Sequence, residues 1–149
     1  MDRSGSYAIR AKALATACEI RRPGVPWLSP SEFVRRSRKE SWTIVDARTR
    51  PERHVSIIPR ALNKEAFEAH RDEYAEGPIL VYCTAGCRSG AYAKELRERG
   101  LNAFNLRGGV LAWALNGGPL VEPNGEPTVR VHVHGERWNV LPPGYEAVG

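Results

Sequence analysis

Cysteine is scarce in this chain of 149 residues: Cys18, Cys83 and Cys87 are the only three. A small, odd number makes a poor disulfide framework and points to a reducing, cytoplasmic setting. Long apolar runs are missing as well. No stretch approaches the roughly 18 apolar residues of a membrane helix, so no membrane partner is expected. The N-terminus lacks the compact apolar run of a secretory signal. Segment Ile9–Arg22 is basic, rich in alanine and poor in acids, as organellar presequences are, so organellar targeting stays open. Asp2 and Glu19 argue instead for a plain N-terminal helix or arm. There is no internal repeat. Basic residues are scattered among acids without an aromatic-basic ladder, so no nucleic-acid partner is expected.

What is present describes an ordinary globular chain, 42% hydrophobic and 26% charged. Its length suits one domain with a real core. The net charge of +5 favours a small anionic partner over a cationic one.

Punctuation and periodicity alternate regularly. Residues 1–26 read as an arm closed by Pro23, Gly24 and Pro26. Ser29-Pro30-Ser31-Glu32 has the form of a capping box with proline at the first helical position. Trp42–Val45, ending at Asp46, reads as a buried strand. Thr49-Arg50-Pro51-Glu52 forms a second capping box. Ala61-Leu62 is a minimal strand, and Asn63 can cap the helix that carries Phe67 and Tyr74. Ile79–Tyr82 is the most strand-like run and should be covered on both faces. Cys83 follows at once, then a short loop and a helix from about Ser89 to Arg99. Ala103–Leu106 is another strand, and Gly108-Gly109 opens a last helix that carries Trp113. Strands alternating with helices imply βαβ units and a parallel sheet with helices on both faces. Ligands of such sheets bind beyond the C-terminal strand ends, where Asp46 and Cys83 both fall. The tail, 121–149, is rich in proline and glycine. Its alternating run Val129–His134 reads as an extra strand or an extended arm anchored by Trp138 and Tyr145, packed on the same domain.

A cysteine between a buried strand and a helix start has a physical use. The first helical turn leaves N–H groups unpaired, and a glycine-bearing loop can turn further N–H groups inward. Such a nest favours thiolate over thiol and would equally hold a persulfide anion. In Cys83-Thr84-Ala85-Gly86-Cys87-Arg88, Gly86 can supply a positive φ, and Arg88 adds a fixed positive charge.

These residues, with Ser89, resemble the active loop of the rhodanese family. Asp46-Ala47-Arg48 followed by Glu52 resembles its upstream Asp-x-Arg signature. Leu106-Arg107-Gly108-Gly109, with Ala112-Trp113 and Gly118-Pro119, resembles its C-terminal signature. The resemblance covers roughly residues 27–120. It implies a rhodanese-like α/β fold: a five-stranded parallel sheet with helices on both faces, here carrying an N-terminal arm and a C-terminal tail. It also implies transfer of sulfane sulfur from thiosulfate, or a similar small anionic donor, to a thiol or a protein sulfur acceptor through a Cys83 persulfide. No cofactor and no metal are called for. Phosphatase relatives of the fold need one more loop residue than the six from Cys83 to Arg88. The chain departs from the family at Ser56-Ile57-Ile58-Pro59-Arg60-Ala61, where the family commonly reads Gly-His-Ile-Pro-Gly-Ala, and Cys87 is unusual inside the loop.

Cys83 and Arg88 are therefore the expected catalytic residues. Thr84, Ala85, Gly86, Cys87 and Ser89 form the expected persulfide loop, with Asp46 and Arg48 bracing it. Glu52 reads as a capping glutamate more than a functional carboxylate. Cys87 either fits the loop as a small side chain or resolves an oxidised Cys83, and Cys18 has no evident role. His132 and His134 face one side of a strand, but no third metal ligand is evident. Two alternatives to an enzyme stay open: a rhodanese-like binding module without turnover, and a Cys83–Cys87 redox sensor.

Overall fold

The computed structural model describes residues 3–21, 24–135 and 138–149. Asp2, Arg22 and Pro23, which entered the reading of the N-terminal segment, lie outside the described residues. The chain runs α1 (Arg3–Arg21), β1 (Trp27–Leu28), α2 (Pro30–Ser37), β2 (Thr43–Asp46), α3 (Arg50–Val55), β3 (Leu62–Asn63), α4 (Lys64–Ala69), a 3-10 turn (Arg71–Tyr74), β4 (Ile79–Tyr82), α5 (Cys87–Glu98), β5 (Ala103–Leu106), α6 (Gly109–Leu115), β6 (Arg130–His132) and β7 (Glu146–Val148). No helix among the described residues is long and apolar enough to cross a membrane.

Strands β1 to β5 form one parallel sheet in the order β1-β5-β4-β2-β3. Central β4 explains why its sequence is apolar throughout: all four residues are fully buried. Side chains alternate across a strand. Leu80 and Tyr82 therefore enter one core layer with Leu28, Phe33, Val110 and Trp113, while Ile79 and Val81 enter the other with Phe67, Tyr92 and Leu96. Helices α1, α2 and α6 cover the first face, and α4 and α5 the second. Helix α1 seats Ala11, Ala15 and Cys18 against the domain, and packs on α5 and α6.

The caps form where the sequence placed them. Ser29 Oγ accepts from the Glu32 amide at 3.2 Å, and Asn63 Oδ1 accepts from the Ala66 amide at 2.7 Å. Three boundaries differ from the sequence reading. Strand β1, two residues between Pro26 and Ser29, is too short to show a period. Strand β3 sits one residue later than Ala61-Leu62. Helix α5 begins at Cys87 rather than Ser89, because Gly86 in the left-handed region (φ 112°) ends the loop early. In the tail, Val131, Val133, Val140 and Leu141 enter the first core layer, and β6 pairs in parallel with β7.

The departure at Arg60 has a conformational signature. The Ala61 amide donates to the Ile58 carbonyl at 3.0 Å, with Pro59 next and Arg60 at φ 70°. This is the arrangement of a type II turn, whose third position favours glycine. A left-handed non-glycine residue costs on the order of 1–3 kcal/mol, partly offset by the smaller unfolded-state entropy of a residue with a Cβ. Arg60→Gly should therefore raise stability by about 0.5–1 kcal/mol, read as a higher urea midpoint at unchanged slope.

Candidate active site

Cys83 follows β4 directly, and its side chain ends in front of the first turn of α5. The residue is 1% exposed. Its Sγ accepts from the Gly86 amide at 3.2 Å and the Ser89 amide at 3.4 Å, with the Ser89 hydroxyl at 3.3 Å. These donors and the positive end of the twelve-residue α5 favour negative charge on sulfur. The Ser89 hydroxyl also lies 2.6 Å from Asn105 Oδ1, the shorter bond of the two.

The loop is clamped from two sides. On one, buried Asn105 of β5 donates through Nδ2 to the Gly86 carbonyl at 3.0 Å. On the other, the Val110 and Leu111 amides of α6 donate to the Cys83 and Thr84 carbonyls at 2.9 and 3.2 Å. A Cβ on Gly109 would collide with those same two carbonyl oxygens, so the loop and α6 approach closely only over a glycine.

Glu52, on α3, lies beside the loop with its side chain 2% exposed. Arg88 Nη2 and Nη1 donate to its Oε1 and Oε2, both at 2.8 Å. Oε2 also accepts from the Thr49 amide at 2.7 Å and the Thr49 hydroxyl at 2.8 Å. Oε1 also accepts from the Thr84 hydroxyl at 3.2 Å, and His134 Nε2 lies 2.8 Å away. Burial alone would raise the Glu52 pKa. The Arg88 guanidinium and the Thr49 donors outweigh it and hold the carboxyl well below the usual carboxylate range.

A second buried pair lies beneath. Arg48 Nη2 meets Asp46 Oδ2 at 2.8 Å, and both side chains are almost fully buried. Arg48 Nη2 also donates to the Ser56 carbonyl at 2.6 Å. The Tyr82 hydroxyl donates to Asp46 Oδ2 at 2.7 Å and accepts from the Ile58 amide at 3.1 Å. Burial, then the Asp46 charge, pushes the Tyr82 phenol far up, so it stays a donor.

The expected residues thus separate into groups. Gly86 and Ser89 meet the sulfur. The Thr84 hydroxyl donates to Glu52 and accepts from Arg88, and Ala85 packs into the first core layer. Asp46 and Arg48 reach the loop through Tyr82, the residue before Cys83. Arg88 stands over the loop in an ion pair with Glu52, its side chain 40% exposed. Glu52 is both the capping residue and a hub of the site. Asn105 and His134 were not expected here. A lone amide inside the strand Ala103-Phe104-Asn105-Leu106 was the available signal for the first.

Two expectations are corrected. Cys87 does not face Cys83 as a resolving thiol: it is bonded to Cys18 of α1, across 69 residues of sequence. Cys83 is the free thiol that remains. Three cysteines were read as a poor disulfide framework in a reducing setting, but one bridge plus one free thiol is also an odd count. The second correction concerns His132 and His134. Glu52 supplies the third ligand-type residue, with ligand atoms within 4.8 Å of one another. Arg88, however, already holds both Glu52 oxygens, and its Nη2 lies 3.2 Å from His134 Nε2. A metal ion would have to displace the guanidinium from a buried partner.

The sequence pattern of the rhodanese-like domain matches residues 29–116, more than half the chain. The chain belongs to the rhodanese-like domain family. It is 34% identical over 90 residues to a sulfurtransferase of Allochromatium vinosum, a match covering 58% of this chain and 84% of that protein. Thiosulfate sulfurtransferase from Pseudomonas aeruginosa superposes with a TM-score of 0.62 at 22% identity, covering 78% of this chain and 24% of that one. A rhodanese-related protein from Thermoplasma volcanium superposes with a TM-score of 0.57 at 24% identity, covering 64% and 97%. These two likenesses establish the rhodanese-like α/β fold. The family match stops before β6, so His132 and His134 come to the site from outside it.

Two outcomes are expected. A carboxyl whose pKa is lowered on folding adds stability above its unfolded value, ~4.3, and loses it as pH falls toward the lower folded value. The urea midpoint should therefore fall below about pH 4.5, and Glu52→Gln should show a shallower acid decline from a lower neutral starting point. Separately, Cys18→Ser, compared with the oxidised parent, should lose about 2–4 kcal/mol of stability in the same assay.

Proposed function

We propose that this rhodanese-like domain is a sulfurtransferase that carries sulfane sulfur as a persulfide on Cys83. The observation that carries the reading is the free Cys83 thiol, with the Gly86 and Ser89 amides on its sulfur at the start of α5. The name of the Allochromatium vinosum relative supports the transfer chemistry.

In the proposed reaction the Cys83 thiolate attacks the outer sulfur of thiosulfate or a similar anionic donor. A bond forms between Sγ and that sulfur, the donor's sulfur–sulfur bond breaks, and sulfite leaves with the electron pair. The persulfide anion is stabilised by the loop donors and the helix start. A thiolate acceptor, small or on a protein, then takes the outer sulfur and returns the Cys83 thiolate. Sulfur enters and leaves without net oxidation of the protein. Near-complete burial of Cys83 suits a donor that presents a single slim sulfur atom. The exposed side of Arg88 supplies positive charge at the approach.

Pairing of Cys87 with Cys18 argues against a Cys83–Cys87 sensor, since Cys87 has no thiol to offer while that bond stands. A cytoplasmic setting, read from the cysteine count, is at odds with a standing disulfide, which oxidising surroundings preserve. Thiol labelling of the chain in fresh lysate reports which setting applies.

Intact-mass measurement after thiosulfate treatment, without added reductant, tests the function. The protein should gain one sulfur atom, and Cys83→Ser should gain none while keeping its circular dichroism. Failure of the parent to load would remove the sulfurtransferase reading and leave a binding module.

A further inference from the structure

Beyond the family match, β6 brings a histidine into direct contact with the catalytic loop. Val131 and Val133 are buried in the first core layer, so the alternating positions His132 and His134 turn toward α3, against which β6 packs. His134 Nε2 lies 2.8 Å from Glu52 Oε1, 3.2 Å from Arg88 Nη2 and 3.5 Å from Thr84 Oγ1. Its ring meets those of His132 and Trp138 edge-on, with centroids 5.4 and 6.0 Å away. The tail thus touches both arms of the loop, Thr84 beside Cys83 and Arg88 at the helix start, through one imidazole.

Donor and acceptor chemistry fixes the role of that imidazole. Glu52 is an ionised carboxylate, so it can only accept. Arg88 Nη2 has only hydrogens to offer, so in its 3.2 Å hydrogen bond with His134 it donates and Nε2 accepts. Nη2 is thereby held by acceptors from three segments: Glu52 Oε1 of α3 at 2.8 Å, Thr84 Oγ1 of the loop at 3.1 Å and His134 Nε2 of the tail. The Thr84 hydroxyl in turn donates to Glu52 Oε1 at 3.2 Å. Without the His134 acceptor, Arg88 has room to shift around Oε1, and Thr84 with it, beside the Cys83 nest.

We propose that His134 is a positioning residue for sulfur transfer: its Nε2, accepting from Arg88, fixes Arg88 and Thr84 and so holds the Cys83 loop in its sulfur-accepting shape. This rests on the reading of Cys83 as the sulfur carrier. The tail is then part of the working site.

Two substitutions separate the hydrogen bond from shape. His134→Phe keeps an aromatic ring against His132 and Trp138 but removes the nitrogen that accepts from Arg88. His134→Gln keeps an acceptor, its amide oxygen, at similar reach but removes the ring. Each is compared with the parent for the second-order rate of Cys83 persulfide formation with thiosulfate, by intact mass, and for its urea midpoint. His134→Phe should load about tenfold more slowly, the scale of one lost hydrogen bond to a charged group. His134→Gln should load within about threefold of the parent. Loading of His134→Phe at the parental rate would overturn the proposal. Equal slowing of both variants, or slowing that follows the urea midpoint, would also overturn it, since the histidine would then act through shape or stability. A parent that takes up no sulfur would instead remove the Cys83 reading, an outcome visible before any variant is measured.

Discussion

The arrangement of the site depends on one buried carboxylate. A charge in Glu52's position is tolerated only if its oxygens are fully engaged, because desolvation of an unpaired carboxylate costs several kcal/mol or more. Engaging them draws together Thr49 at the start of α3, Thr84 in the loop, Arg88 on α5 and His134 from the tail. The outermost of these residues lie 85 positions apart in sequence, at 49 and 134. The pairing also changes what Arg88 contributes. Its charge is matched at 2.8 Å by Glu52, so the donors that meet Cys83 Sγ are supplied by the backbone and Ser89. The electrostatic character of the nest is then a property of the fold more than of one cation.

Backbone donors serve in this way only if they are held in place. Here the loop is fixed by α6 pressing through Gly109 onto two carbonyls, by Asn105 on the Gly86 carbonyl, and by the Cys18–Cys87 bridge at the start of α5. Beneath it, the Asp46–Arg48 pair fixes Tyr82, and with it the end of β4, from below. The glycine pair 108-109, which in sequence looked like a helix start, is also the contact that lets one helix touch the Cys83 loop.

Local features of the fold were legible in the sequence. The caps at Ser29 and Asn63, the apolar β4 and the Cys83 loop each signal themselves within a few residues, through periodicity or hydrogen-bonding chemistry. Features that depend on distant partners were not. Glu52 reads as a cap because Thr49 is three residues away and Arg88 is thirty-six. The bridge joins Cys87 to a helix that sequence alone could equally present as a loose arm. His134 looked like half of a packed or solvated pair because its partners arrive from α3 and α5. Strand β1 was lost for another reason: two residues carry no period.

The bridge also decides how the chain would carry load. Tension applied at the N-terminus travels down α1 to Cys18 and crosses at once to Cys87, then runs through α5, β5, α6 and the tail. Residues 19–86 hang from that line as a closed ring. Strands β1 to β4 and Cys83 itself lie inside the ring, so a force drawing the two ends apart would peel the outer helices while the central strands and the sulfur-bearing residue stay slack.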